Sequence, residues 1–352
     1  MFFRERSKTV TSIDIGTASV KAVSLTRSED KLSLNNYNEI YSAVYVGKEV
    51  GEYAKMGYLE IESILTDCFN QLQVKPDKLV IGVPASECIF RQVRLPINVV
   101  DTLSKDSESI SNIIKLEFRK VTTGINILNY VFSFTETFRN TYEAEYLVLA
   151  IGQDYLNNLN NIAAKLSPSF VLEPNIFGGI RMLPHDYNEN AILINIGANN
   201  INIAFVNTGK LIGVENISIG INKIIFNVKT SMLLPYSSAR DVVLGHDYEN
   251  NDNLMLADII KLSTVNIIND IIHVLNNYEL RYNIKYSKVY LGGSSVKILN
   301  TDIFYSRYLG REVVIIKPFE RVSLPVAVQE NVIRDSSVFM NAVGLAIEHL
   351  EN

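Results

Sequence analysis

Ile13-Asp14-Ile15-Gly16-Thr17-Ala18-Ser19-Val20 and, half a chain later, Ile194-Asn195-Ile196-Gly197-Ala198-Asn199-Asn200-Ile201 carry one pattern. Each sets one short polar residue inside an apolar run and places glycine two positions on. Small or polar residues follow, and then the run turns apolar again. The pattern reads as a strand, a tight glycine turn and a returning strand, with a carboxylate or an amide at the mouth of the turn. Two such hairpins half a chain apart imply two similar lobes facing each other across a cleft. Glycine lets backbone N–H groups approach an anion closely, so paired turns of this kind can wrap a phosphate chain from both sides.

Outward from the first hairpin, residues 9–47 read as a meander of strands. Apolar residues at helical spacing from Tyr58 to Leu72 predict a helix over 57–73, ended by Pro76. Lys78 to Pro84 reads as a short buried strand. Residues 85–152 then change character: a strand from Ile89 to Leu95 stops at Pro96, a helix spans about 107–121, and strands lie at 130–134 and 145–151 around a loop at Arg139-Asn140-Thr141. A helix over about 153–165 leads into Phe170-Val171-Leu172-Glu173-Pro174. After the second hairpin come a turn at 207–210, a strand from Leu211 to Ile219 and a mostly helical stretch over 220–284. Ile260, Ile267, Ile268, Ile271, Val274, Leu275 and Tyr278 form one apolar stripe there. Strands at 288–293 and 313–316 and a helix over 336–350 complete the chain. Alternating β and α elements of this length predict an α/β protein with a small α+β insert.

At 352 residues the chain exceeds what one hydrophobic core organises, so two or more domains are expected. A net charge of −5 argues against general nucleic-acid binding. Cys68 and Cys88 form neither a metal pattern nor a disulfide framework, which suits a reducing interior. His185, His246, His273 and His349 have no ligand spacing. No apolar run reaches the roughly 18 residues of a membrane span. The start, Met1 to Lys8, is basic with two phenylalanines and lacks a signal-peptide core; it reads as a short solvated arm or a weak contact with an acidic surface.

In this order, the pieces resemble the actin-like ATPase superfamily, and within it the PilM-like type IV pilus assembly proteins, with FtsA as a relative. Thr11 to Val23 is similar to the PilM opening, and Phe339-Met340-Asn341-Ala342-Val343-Gly344-Leu345-Ala346 to the closing stretch. The insert sits where PilM and FtsA carry an extra subdomain and actin has none. FtsA usually continues into an amphipathic membrane helix after the closing stretch, so the resemblance favours PilM. It implies a two-lobed actin-like fold, that is, duplicated RNase H-like domains with a PilM/FtsA-type α+β insert in the first lobe. The parts expected are a first-lobe core (1–84), the insert (85–152), a return and connecting helix (153–188), a second-lobe core (189–228 and 285–335), a helical upper subdomain (229–284) and a closing helix (336–352).

The resemblance also implies ATP and Mg²⁺ as cofactors. It assigns nucleotide contacts to Asp14, Gly16, Thr17, Ala18, Ser19 and Lys21 in the first loop, to Asn195, Gly197, Ala198 and Asn199 in the second, and to Gly220, Gly292, Gly293 and Ser294. Asp14 would hold Mg²⁺ through water, and Glu173 would position water or metal as the second catalytic acid. Plainer readings stand beside these: Asp14 as a turn cap, Gly292-Gly293 as a structural corner, and Glu173 as the cap of the helix after Pro174. Several positions depart from the family. Asn195 replaces an aspartate, Ile201 a threonine, Arg240 a glutamate, Val243 a lysine, and His273 and Val274 an arginine and a serine. An amide accepts a hydrogen bond but brings no charge to a metal or a water nucleophile. Weak or absent ATPase activity is therefore expected.

Function would then lie in a surface. PilM-like proteins hold the cytoplasmic tail of an inner-membrane protein, PilN, between the first lobe and its insert. Ile89, Phe90, Arg91, Val93, Arg94 and Leu95 are the expected groove wall, where an extended peptide could pair with a strand edge; the alternative is that this strand is core and its arginines solvated. The implied protein is a cytoplasmic scaffold, peripheral at the inner membrane through its partner, which can assemble into a ring or filament. An active actin-like ATPase or small-molecule kinase, or an FtsA-like division protein, is the alternative.

Overall fold

The computed structural model describes residues 7–29, 31–42, 56–103, 107–184, 190–250, 253–325, 333 and 335–351. The duplicated pattern becomes two sheets of one topology. In the first, β1 (Lys8–Ile15) pairs antiparallel with β2 (Ser19–Ser28), and β2 with β3 (Lys31–Tyr41). On its other side β1 runs parallel to β4 (Lys78–Val83), and β4 parallel to β8 (Phe170–Pro174). In the second, β9 (Ala191–Ile196), β10 (Ile201–Asn207) and β11 (Lys210–Ile217) repeat the meander, while β12 (Lys288–Gly293) and β13 (Glu312–Ile315) repeat the parallel pair. The orders β3-β2-β1-β4-β8 and β11-β10-β9-β12-β13 superpose element for element.

Helices cover both faces of each sheet, which is why the central strands are apolar without interruption rather than alternating. In the first lobe α1 (Tyr58–Leu72) and α4 (Gln153–Leu166) supply buried stripes. In the second, α6 (Ile221–Met232), α7 (Tyr236–Leu244), the 29-residue α8 (Leu254–Tyr282) and α9 (Thr301–Leu309) do so. The stripe on α8 is buried from Ile260 to Tyr278, where the tyrosine ring stacks on Phe205 at 3.7 Å. Asn253 caps α8 by accepting from Leu256 N, and Asn283 ends it in the left-handed region.

The insert is a third sheet of order β5-β7-β6, made of β5 (Cys88–Pro96), β6 (Tyr130–Arg139) and β7 (Glu143–Gly152). Against it pack α2 (Ile97–Leu103) and α3 (Ser107–Val121), and it has its own core around Val93, Leu95, Phe118 and Val148.

The two lobes meet where α5 (Asn175–Arg181) crosses the closing helix α10 (Met340–Glu351). Gly178 and Gly344 bring the backbones together: a Cβ on either residue would collide with the other helix. Ser12 Oγ donates to Ala342 O at 2.5 Å and ties β1 to the same crossing.

Three expectations need correction. The segment before Pro174 is an edge strand paired with β4, not only a connector, because its backbone completes the sheet. The short helix α2, starting straight after Pro96, was not expected; proline favours the first turn of a helix as readily as it ends a strand. The last helix begins at Met340, since residues 335–339 form a 3₁₀ turn in which Ser336 Oγ donates to Ile333 O at 2.6 Å and competes with α-helical bonding. The mostly helical stretch 220–284 holds three helices, the first ended by Leu233 at φ 54°. The expected strand at 43–47 and the basic start at residues 1–6 lie outside the described residues.

Candidate functional site

The cleft lies between the lobes, at the carboxyl ends of β1 and β9, with about 930 Å³ of space including its open mouth. The two glycine turns oppose each other and close alike: Gly16 N donates to Ser19 O at 3.1 Å, and Gly197 N to Asn200 O at 2.9 Å. Register fixes what each turn presents. Asp14 stands opposite Lys21 in the first hairpin; at the equivalent place in the second, Asn195 stands opposite Asn202. The duplication thus sets opposite charges across the hairpin in one lobe and two amides in the other.

Asp14 is buried. Its Oδ1 accepts from Asn175 Nδ2 at 2.7 Å and its Oδ2 from Asn341 Nδ2 at 3.3 Å. Those amides come from the two crossing helices, so the lobe junction itself holds the carboxylate. Burial pushes the Asp14 carboxyl above its ordinary range, while Lys21 and the two amides draw it partly back. Asp14 is the one carboxylate among the described residues lining the cleft, which also presents Lys21, Arg240 and Lys297.

Glu173 is elsewhere. Both its oxygens accept from Arg181, at 3.1 and 3.0 Å, and His349 Nε2 lies 3.0 Å from Oε1. It neither lines the cleft nor caps α5, whose N-cap Pro174 has no side-chain cap. Asn175, two residues on, points to Asp14 instead: residues two apart on a strand would share a face, but the strand ends at Pro174 and the helix starts at Asn175, which turns its side chain away.

Of the expected nucleotide contacts, Asp14, Gly16, Thr17, Ala18, Ser19, Lys21, Asn195, Gly197, Ala198, Gly293 and Ser294 line the cleft. Asn199, Gly220 and Gly292 do not. Asn199 accepts from Asn222 Nδ2 at 2.6 Å, and Tyr236 OH donates to Asn222 Oδ1 at 2.8 Å. Gly220 starts α6 against the second loop, and the first N–H groups of that helix are spent there: Ile221 N on Gly197 O and Asn222 N on Ala198 O. Gly292 makes room for the Met340 thioether, and Gly293 turns at φ 92°, a backbone that favours glycine. Sequence reasoning did not find Asn175, Asn341, Tyr41 and Lys297, since nothing local in the sequence marks a side chain delivered from another element.

The donor set suits phosphate better than a protein-held metal. Three cations and the loop backbone favour an anion, to which the buried Ser337 Oγ, with no hydrogen-bond partner among the described residues, can donate. For Mg²⁺ there is one carboxylate, already accepting two amide bonds, and no group of three metal-ligating side chains occurs among the described residues.

The expected peptide wall is mostly interior. Phe90, Val93 and Leu95 are buried on opposite faces of β5: Phe90 in the first-lobe core, and Val93 and Leu95, on the other face, in the insert core. Ile89 is half-buried and Arg91 exposed, its guanidinium donating to Phe90 O at 2.7 Å. Arg94 is not free: it donates to Glu145 at 2.8 Å and pairs with Glu143 at 3.2 Å. Glu145 is 1% exposed and also accepts from Arg281 at 3.0 Å and from Tyr282 on α8. Beside it Gln92 Nε2 donates to Tyr278 OH at 2.6 Å and to Ile212 O at 3.1 Å. This side of β5 docks on the second lobe. A crease lined by Met56, Tyr58, Ile61, Glu87 and Tyr155 lies where α1 meets the start of the insert, and it adjoins the cleft, sharing Gly16, Thr17 and Pro84 with it.

The family profile described as type IV pilus assembly protein PilM matches residues 12–350. The chain therefore belongs to the PilM family of type IV pilus assembly proteins, on the actin-like fold. A solved structure described as a PilM-PilN type IV pilus biogenesis complex is 14% identical, with a TM-score of 0.80, over 97% of this chain and 99% of that one. The ethanolamine utilization protein EutJ from Carboxydothermus hydrogenoformans is 13% identical (TM-score 0.54; 97% and 89% covered). MreB5 of Spiroplasma citri, solved bound to ADP, is 10% identical (TM-score 0.56; 98% and 99% covered). No curated protein matches the chain. Among the described residues, no helix is long and apolar enough to cross a membrane.

Proposed function

We propose that this PilM-family chain is a scaffold of the pilus machine: it holds the cytoplasmic tail of a PilN-like inner-membrane protein, binds nucleotide weakly and turns it over slowly or not at all. Family membership and likeness to a structure of a PilM-PilN complex support the partner. The observation that carries the loss of turnover is the place of Glu173, held on both oxygens by Arg181 outside the cleft. A general base must lie within hydrogen-bonding reach of the proton it takes, and Asp14, gripped by two amides, is the one acid on the cleft wall among the described residues. When bound, a nucleotide would supply a phosphate chain for the facing glycine turns; Lys21, Lys297 and the loop N–H groups would orient it.

For the tail, the crease between α1 and the insert suits an extended peptide better than β5, because Tyr58 there is half exposed while alternate residues of β5 are core. On this reading the protein lies at the cytoplasmic face of the inner membrane through its partner and assembles there as a ring or filament. Capture of a PilN-type tail peptide by the wild type, its loss in Tyr58→Asp, and phosphate release at background are the expected results. Steady magnesium-dependent phosphate release would overturn the scaffold reading, and so would failure to capture the peptide.

A further inference from the structure

Three cleft-lining groups point the same way, and it is not into the cleft. Ser19 Oγ, on the first glycine turn, donates to Glu39 Oε1 at 2.7 Å. Lys21 Nζ lies 3.8 Å from that oxygen. Lys297 Nζ, on the 3₁₀ turn after Gly293 in the opposite lobe, reaches Glu39 Oε2 and Tyr41 OH, each at 3.3 Å. Glu39 sits on β3 behind the wall and does not line the cleft, and its side chain is 16% exposed. The contact also spans the lobes, since Arg240 of α7 covers the Tyr41 ring at 5.7 Å.

We propose that Glu39 is an internal occupant of the cleft's anion donors, so that a ligand carrying a phosphate chain binds by taking Ser19, Lys21 and Lys297 away from it. The inference rests on the weak nucleotide site proposed above and names what makes it weak. Both carboxylate oxygens are satisfied by the same hydroxyl and ammonium groups that a phosphate chain would need. A carboxylate this little exposed interacts with its cations at short range with reduced solvent screening, so it competes well with a solvated ligand. Since Lys297 belongs to the second lobe, the exchange also releases one tie between the lobes. Nucleoside phosphates and free polyphosphate share the chemistry, and the probes below tell them apart.

The test is calorimetry on the full chain with ADP and with sodium tripolyphosphate, each in EDTA. Glu39→Gln keeps the shape and removes the charge; it is expected to bind tripolyphosphate at least tenfold more tightly than the wild type. The double variant Glu39→Gln/Lys297→Met is expected to lose that gain. An equal gain for ADP assigns the effect to the phosphate chain alone, and a larger one adds a contribution from the nucleoside. Glu39→Asp, which keeps the charge but shortens its reach to Lys297, is expected to show a smaller gain and carries the test if Glu39→Gln does not fold. Affinity unchanged or weakened in the folded Glu39 variants overturns the proposal, as does binding of neither probe by any of them. Peptide capture and phosphate release do not enter this measurement, so failure of the scaffold reading would show separately.

Discussion

Gly344→Ala tests how the lobes are joined. A Cβ at that position would sit 1.9 Å from Gly178 O and 2.6 Å from Gly178 C. Both are backbone atoms of α5, so no side chain can rotate away, and the helices must part by more than an ångström. Alanine gains roughly 1 kcal/mol in helix propensity over glycine. Against this, forcing a methyl into a packed core costs about 1–3 kcal/mol, and an unyielding backbone contact places the cost at the upper end. A net loss of about 2 kcal/mol follows, a fall in Tm of about 3 °C at an unfolding entropy of roughly 2.1 cal/mol/K per residue over 352 residues. The same parting draws Asn341 from Asp14 and loosens the Ser12–Ala342 bond. Gly57→Ala is the control: it has φ −77° and nothing lies within 4 Å of its Cβ, so the entropy gained from the unfolded chain offsets the poorer cap that alanine makes at the start of α1, and a change of under about 1 kcal/mol is expected. Differential scanning fluorimetry of both variants checks the argument. Equal shifts, or a Gly344→Ala protein as stable as wild type, would refute a junction set by backbone contact.

Other expectations concern charge and burial. Because burial raises the folded-state pKa of Asp14, the folded protein favours its protonated form, and the stability this gives is full below pH 3.8 and lost as pH rises through the raised value. Asp14→Asn should therefore be more stable than wild type at neutral pH, with the denaturation curves converging in acid; a constant difference across pH would contradict the burial argument. Glu145→Ala should cost about 2 kcal/mol, below the full figure for a buried pair because Arg94 and Arg281 remain partly exposed to water; a double-mutant cycle with Arg281→Met measures the coupling between insert and second lobe. Burial pushes the Cys68 and Cys88 thiols up to about 12, so a maleimide should label them only on unfolding, and rapid labelling of the native protein would count against their placement.

Much of the architecture was legible because it is written in local pattern. The two glycine hairpins, the helical spacing over Tyr58–Leu72 and the apolar stripe of α8 each follow from a few neighbouring residues, and the strand at Ile89–Leu95 was found within a residue of its observed ends. What that strand's side chains do was harder to read. Alternation says that one face is inside, but not that Arg94 is held by a carboxylate fifty residues on. Glu173 shows the same limit: its neighbour Pro174 fits a helix start in sequence, yet its partner Arg181 is set by how α5 leaves the sheet.

The sequence by itself determined the paired lobes, the insert within the first of them and the uncharged Asn195, because turns and periodic burial depend on chemistry within one or two turns of chain. Only the tertiary structure decided where the charges went: Asp14 to the amides of the two crossing helices, Glu173 away from the cleft, and Glu39 onto the lysines of both lobes. The contacts of Asp14 and Glu39 join residues from 18 to more than 300 positions apart. A side chain's partner at such separations is fixed by the packing of whole elements, and no local spacing carries that information.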